Sequence, residues 1–332
     1  MAAARTGRRL SAALPAAGRA IRAAALAAGA GLAWALAEAH WFALRRFTVP
    51  VLAPGSRPLR VLHLSDLHLT PDQDDKIAWV RSLADLEPDL VVDTGDNWAH
   101  PDALPALAHA LEPLLEVPGA FVMGSNDYVA PVVKNPARYL LPDARGPVRA
   151  PRQLLPAADL TRLLVDAGWV DLGNRRGATT ADGRTVSLAG VDDPHLDLDR
   201  FPSGTHDPSA ALRLGVTHAP YRRVLDEMHR DGADLILAGH THGGQLAVPG
   251  WGALVTNCDL DTGRAKGLHG WPGPRPDEPW GEDSTWLHVS AGLGTSPYTP
   301  VRFACRPEAS LLTLVARPRP PRYPPPPPPP PC

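Results

Sequence analysis

Residues 61–70 read VLHLSDLHLT, and residues 235–245 read LILAGHTHGGQ. Each is a short apolar run that breaks into polar side chains able to bind a metal: Asp66 and His68 in the first, His240 and His242 in the second. Three segments between them have the same form, namely LVVDTGDNW (90–98), AFVMGSNDY (120–128) and LGVTHAP (214–220). Short apolar runs closed by Gly, Asp or Ser predict buried strands. Helical spacing of apolar residues falls between them, at Asp75–Leu86 (Ile77, Val80, Leu83, Ala84), Pro101–Leu115, Asp159–Ala167 and Tyr221–Arg230. Further strands are expected at Val186–Val191, Trp286–Ser290 and Leu311–Val315. Strands alternating with helices predict an α/β domain.

In α/β sheets, sites collect outside the carboxyl ends of the strands. Asp66, His68, Asp96, the Ser125–Asn126 pair, His218, His240 and His242 each follow closely on an apolar run, so they can converge although they are spread between residues 66 and 242. On an extended backbone the i, i+2 spacing would put Asp66 and His68 on one side and Leu67 on the other. The same expectation applies to His240, Thr241 and His242, a pair that could aim at two adjacent ions. Carboxylate and imidazole without thiolate suit Mn, Fe or Zn. Asp96 is the candidate to bridge two ions, because Gly95 before it allows backbone and metal to approach closely. One DxH or GD pair arises readily by chance; five ordered turns of this kind do not.

Composition sets bounds. The formal net charge is −2 over 332 residues. Residues 1–50 hold seven arginines and one glutamate, a charge of +6, which leaves −8 for the remainder. An acidic body behind a basic leader argues against a nucleic-acid groove, and no nucleic-acid partner is expected. Three cysteines, Cys258, Cys305 and Cys332, are too few for a disulfide framework, and Cys258 and Cys305 read as packing residues.

The window Ala23–Leu44 is long enough as a helix to span a bilayer core, at roughly 1.5 Å per residue. It is alanine-heavy and carries Glu38 near its end, with Trp34, Trp41 and Phe42 placed for an interface and Arg45 and Arg46 for headgroups. A single-pass anchor is the favoured reading, against a cleaved or twin-arginine signal and a helix lying on the surface. The arginines lean weakly toward an extracytoplasmic catalytic body. The boundaries expected are a basic leader with a transmembrane helix at 1–48, a linker at 49–58 with three prolines, a catalytic domain at 59–316 and a proline-rich tail at 317–332. Residues 130–156 and 264–283 read as loops, the first an insert or lid.

From about Leu59 to Val315 the chain resembles the calcineurin-like metallophosphoesterases, most of all the small bacterial membrane-associated branch that ends in GHTHGGQ. The resemblance implies an αββα sandwich of two mixed sheets, here preceded by one N-terminal hydrophobic helix. It implies one ion held by Asp66, His68, Asp96 and His242, and a second held by Asp96, His218, His240 and the third-motif side chain. That third motif departs from the family's Gly-Asn-His-Asp or Glu, because it reads Gly124-Ser125-Asn126-Asp127. Either Ser125 or a water takes the ligand place, or the turn shifts so that Asn126 reaches the metal. The amide oxygen of Asn126 is the better neutral ligand. The family's histidine acid is then missing, and His100 and His195 are the candidates to replace it.

The implied chemistry is phosphoester hydrolysis by a hydroxide bridging two divalent or trivalent ions. A weak acid would favour an activated leaving group such as a phosphoanhydride. The anchor suggests a lipid-linked or envelope-associated phosphate compound. The competing expectations are a phosphoprotein phosphatase and a metal-binding scaffold or sensor with little turnover.

Overall fold

The computed structural model describes residues 7–133 and 153–318. Two six-stranded sheets face each other. In the first, β1 (Ala43–Leu52), β14 (Glu308–Ala316), β2 (Leu59–Leu64), β3 (Leu90–Asp93), β4 (Gly119–Phe121) and β5 (Val170–Asp171) lie side by side in that order. In the second the order is β12 (Gly267–Trp271), β13 (Thr285–Val289), β9 (Leu235–Ala238), β8 (Leu212–Thr217), β7 (Arg184–Gly190) and β6 (Arg176–Ala181). Both sheets are mixed. β2, β3, β4 and β5 run parallel while β14 is antiparallel to β2; β7, β8, β9 and β13 run parallel while β6 and β12 are antiparallel edges.

The side-chain alternation of each central strand divides its residues between two cores. Val61, Leu90 and Val92 of the first sheet meet Val186, Leu188, Leu214, Val216, Leu235 and Leu237 of the second in one inter-sheet layer. Leu62, Leu64 and Val91 point the other way, onto α2 (Asp74–Ser82), α3 (Leu104–Leu111) and α5 (Ala157–Asp166) through Val80, Leu107, Leu111, Leu160 and Leu164. On the far face of the second sheet, Ile236, Leu287 and Val289 pack under Val224, Leu225 and Met228 of α6 (Arg222–Arg230). Covering both faces is why these strands read as continuous apolar runs. The layers are therefore αββα.

Three sequence expectations are corrected. The helix α1 (Gly7–Glu38) ends at Glu38, so the apolar span is Gly18–Glu38 and not Ala23–Leu44. The expected linker 49–58 begins inside β1, which pairs in parallel with β14 from Ala43 to Leu52. Val49, Val51 and Leu52 are buried in the inter-sheet layer, and that burial outweighs the proline signal. Pro50 is tolerated because β1 is an edge strand, where a missing N–H costs no ladder bond. The expected loop 264–283 contains β12, whose pairing with β13 completes the edge of the second sheet. At the other boundary, Arg317 still donates from its backbone to Leu52 O. The rest of the proline-rich tail and most of the expected lid lie outside the described residues.

The parallel strands bring their carboxyl ends together. β2, β3 and β4 deliver residues 65–68, 94–97 and 124–126 from one sheet. β7, β8, β9 and β13 deliver residues 191–195, 218, 239–245 and 290–294 from the other.

Candidate metal centre

Two groups of side chains converge at this rim. Asp66, His68 and His242 each place a donor atom within 4.8 Å of the others, and so do Asp66, Asp96 and His218. Asp66 belongs to both. The gaps fit: His242 Nε2 to Asp66 Oδ1 is 3.5 Å, His68 Nε2 to Asp96 Oδ2 is 3.5 Å, and His218 Nε2 to Asp96 Oδ1 is 3.6 Å. His68 Nε2 and His242 Nε2 face each other at 3.2 Å.

The backbone that makes this possible is not an extended strand. Asp66, His68, Asp96, His240 and His242 all have left-handed φ, between 41° and 68°. Such a conformation costs a non-glycine residue about 1–3 kcal/mol and persists only where the surroundings enforce it. The pleat expected for Asp66 and His68 is therefore replaced by a turn that reaches the same convergence, with Leu67 buried in the core. His240 and His242 separate: His242 joins Asp66 and His68, whereas His240 lies in neither tight group. The His240 Nε2 atom is 3.2 Å from Asn257 O, which leaves Nδ1 as the nitrogen for other partners. Its ring stands 5.2 Å from that of His218.

Glycines set the spacing at this rim. A Cβ on Gly124 would lie 2.3 Å from Asp96 Oδ1, and one on Gly239 would lie 2.6 Å from Asp66 Oδ2. The turn after Gly124 is braced by Asp127, whose carboxylate accepts from the backbone N–H groups of Gly124, Asp96 and Asn97 at 2.8 Å each. It turns Asn126 toward Asp96: Asn126 N donates to Oδ1 and Nδ2 to Oδ2, both at 2.7 Å. A half-turn of the amide would present Oδ1 at the same place.

The electrostatics show the strain of acids and imidazoles packed without solvent. Burial raises Asp66 to about 6, with His218 opposing and the Asp96 charge adding. Burial raises Asp193 to about 7, and lifts Asp127 well above the usual carboxylate range. Burial lowers His68 to about 4, and takes His240 and His242 well below the usual imidazole value. Two groups go against burial. Asp96 is lowered because His218, His68 and the Asn126 donors outweigh it. His218 is raised to about 9 because Asp96, Asp66 and Asp193 outweigh it.

The donor set fits a cation. Asp66 Oδ1 and His218 Nε2 are buried without a hydrogen-bond partner. His218 Nδ1 donates to Thr94 O at 2.7 Å, which fixes the tautomer that frees Nε2 as a ligand. Buried polar atoms left unpaired are rare, and clusters of them need a partner such as an ion.

The two candidate acids part company. His195 borders the cage: its ring centroid is 4.5 Å from that of His240, and Nδ1 is 3.2 Å from Tyr221 Oη. His100 is half exposed and contacts Asp102, through the backbone N–H at 3.1 Å, and none of the seven expected ligands.

Sequence reasoning missed Arg302 and Glu38. Arg302 is fully buried and its guanidinium reaches His242, while Glu38 holds the backbone of residues 304–305. No periodicity or short motif marks either one.

The calcineurin-like phosphoesterase family model matches residues 59–244, more than half of the chain. The chain belongs to that family. It is 26% identical over 294 residues to protein YpbG of Bacillus subtilis, covering 87% of this chain and 94% of the relative. It is 26% identical to phosphodiesterase YaeI of Escherichia coli, covering 84% and 90%. It is 26% identical to UDP-2,3-diacylglucosamine pyrophosphatase LpxG of Chlamydia trachomatis, covering 78% and 84%. The protein is a phosphoesterase hydrolase, its fold implies divalent metal ions, and the two triads are candidate places for them.

Proposed function

We propose that this chain is a membrane-anchored, dinuclear-metal phosphoesterase acting on a lipid-linked phosphate compound. The observation that carries the dinuclear part is the sharing of Asp66 between two triads, with Asp96 of the second also 3.5 Å from His68 of the first. Asp66, His68 and His242 would hold one ion. The shared Asp66 with Asp96 and His218, and with Asn126 and His240 alongside, would hold the other, and Mn, Fe or Zn suits that set. Two such ions would supply a nucleophilic water at neutral pH and neutralise charge on the phosphoryl oxygens.

The chain's own residues do the rest. Asp127 fixes the 124–127 turn, so Asn126 stays on Asp96 and cannot donate a proton as a histidine would. His195, held by Tyr221 against His240, is the better-placed donor to a leaving group, and His100 is set aside. A weak donor suits a leaving group that needs little help, such as a phosphoanhydride. The relative LpxG is named as a pyrophosphatase of a diacylated nucleotide sugar, a substrate of that type, and this supports the reading.

Two features support the lipid. Helix α1 is long and apolar enough to cross a membrane from Gly18 to Glu38, and Ile21, Leu26, Leu32, Trp34 and Leu36 are exposed on it. A cavity of about 480 Å³ is lined both by His68 and Gly294 and by Ala39 and His40, just past the helix. An anchor in the bilayer would open that cavity beside the membrane surface. The test is elemental analysis of the full chain together with turnover of a soluble aryl phosphodiester and of a lipid-linked pyrophosphate in mixed micelles. About two ions per chain and a preference for the lipid are expected; equal rates on both substrates would remove the lipid reading.

A further inference from the structure

Arg302 is an odd residue to bury. Its exposure is 0%, and among the described residues no carboxylate lies in ion-pair reach of it. A buried cation without a counter-ion is costly, and an apolar residue of similar size would fill the space at lower cost. What surrounds the guanidinium is backbone carbonyl. Nη2 donates to Ala291 O at 2.8 Å and Gly294 O at 2.7 Å, and Gly292 O lies at 3.1 Å. Nη1 reaches His242 O at 3.4 Å and Cys305 O at 3.5 Å. Nη2 also lies 3.2 Å from His242 Nδ1.

Those carbonyls belong to the segments that set all three ligands of one triad. His242 is touched directly. A Cβ on Gly292 would lie 2.5 Å from Asp66 Cβ, and one on Gly294 would lie 2.7 Å from His68 Cβ, so the 291–294 turn is the wall against which Asp66 and His68 stand. Arg302 in turn hangs on the last turn of α1. Its backbone N–H donates to Ala35 O at 3.0 Å. Glu38, 4% exposed, accepts from Cys305 N at 2.6 Å through Oε1, and from Ala304 N at 3.0 Å and Trp34 Nε1 at 2.8 Å through Oε2. The second triad meets this wall only through the shared Asp66: its His218 is oriented by Thr94 O and its Asp96 by the 124–127 turn.

We propose that Glu38 and Arg302 are positioning residues that strap the end of the N-terminal helix to Asp66, His68 and His242, so that this helix is a working part of the His68–His242 metal position and touches the other only through the shared Asp66. The proposal rests on the reading that each triad holds an ion. It makes α1 more than a tether, because displacement of its last turn moves His242 and the 291–294 wall together.

The test uses the full-length chain in detergent, stripped of metal and titrated with Co(II), whose visible spectrum reports each ligand set. Glu38→Ala and Arg302→Met are expected to weaken one binding step by about 10–100-fold, the range for residues that orient a ligand. The other step should stay within about twofold, and the spectral change should match that of His242→Ala. Glu38→Gln keeps one acceptor oxygen and is the variant least exposed to misfolding; it should shift the same step by about 3–10-fold. The inference is overturned if the folded Glu38→Gln and Arg302→Met chains bind both ions as the wild type does, or if both steps weaken together with the melting temperature. A wild-type chain that binds fewer than two Co(II) ions would instead contradict the metal-centre reading before any variant is compared.

Discussion

The two triads share Asp66 yet are supported in different ways. On the Asp96–His218 side Asp96 is held from nearby chain, where Asp127 gathers the backbone of residues 96, 97 and 124, while Thr94, two residues before Asp96, orients His218 across the two facing sheets. The His68–His242 side depends on distant chain, on Arg302 and, 267 residues from Cys305, on Glu38. A ligand held by local turns is specified as soon as the strands pair. One held by long-range packing is specified only when the whole chain has closed. Strained left-handed backbone occurs on both sides, so it is the source of support that differs.

Four substitutions or titrations would break or sharpen that contrast. The largest effect is expected at Asp96, a member of one triad that also contacts His68 of the other. Asp96→Asn should lower kcat/KM by about 10³-fold or more, several kcal/mol of lost charge stabilisation, as measured on an aryl phosphodiester. A variant that kept a tenth of the activity would remove Asp96 from the centre of the account. Asp127→Ala tests the local support. It leaves three buried backbone N–H groups without an acceptor and should destabilise the metal-loaded chain by about 2–4 kcal/mol in urea unfolding. An unchanged midpoint would mean that the turn is held by other contacts.

The pH dependence of metal binding comes next in size. His218 in the metal-free chain is raised to about 9, and only its neutral form is a ligand. Below pH 9 an ion must displace that proton. Affinity for the Asp96–His218 position should therefore rise about tenfold per pH unit between 7 and 8 and level off above 9, with about one proton released per ion. His68 and His242 are lowered by burial and are already neutral at pH 7, so the other position should show little dependence there. Calorimetry in buffers of different ionisation enthalpy distinguishes the two; equal proton release at both would contradict it. The smallest effect is a gain. Asn126→His, with a proton to donate beside Asp96, should raise kcat on a poor alkoxide leaving group by about tenfold while changing the aryl ester little. A uniform loss on both would show that the Asn126 amide is needed as a ligand.

Much of the candidate site was legible because each expected ligand follows closely on a strand, and parallel strands end at one rim. The apolar runs around Val61, Val91, Val216 and Leu237 announced four of those strands. The route was misread at Asp66 and His68, where a pleat was expected and a left-handed turn does the work. Spacing alone cannot tell these apart, since the turn is enforced by glycines 239, 292 and 294 from other segments. β1 was hidden by Pro50, a residue tolerated there only because the strand lies at an edge, which is a property of the assembled sheet. The hairpin of β6 and β7 was missed although Asp182-Gly183, both with positive φ, is a strong hairpin-turn signal. Glu38 was noticed only as a charge near the end of the apolar window; its backbone partners at residues 304–305 lie far along the chain. His100 contacts none of the seven expected ligands, and its Nδ1 accepts instead from the backbone N–H of Asp102.

Anomalous diffraction from crystals of the metal-loaded chain, collected at the edge of the bound metal, tests the central claim most directly. Two peaks about 3.5–4 Å apart are predicted, one among Asp66, His68 and His242 and one beside Asp96 and His218. A single peak, or a pair lying elsewhere, would contradict the account.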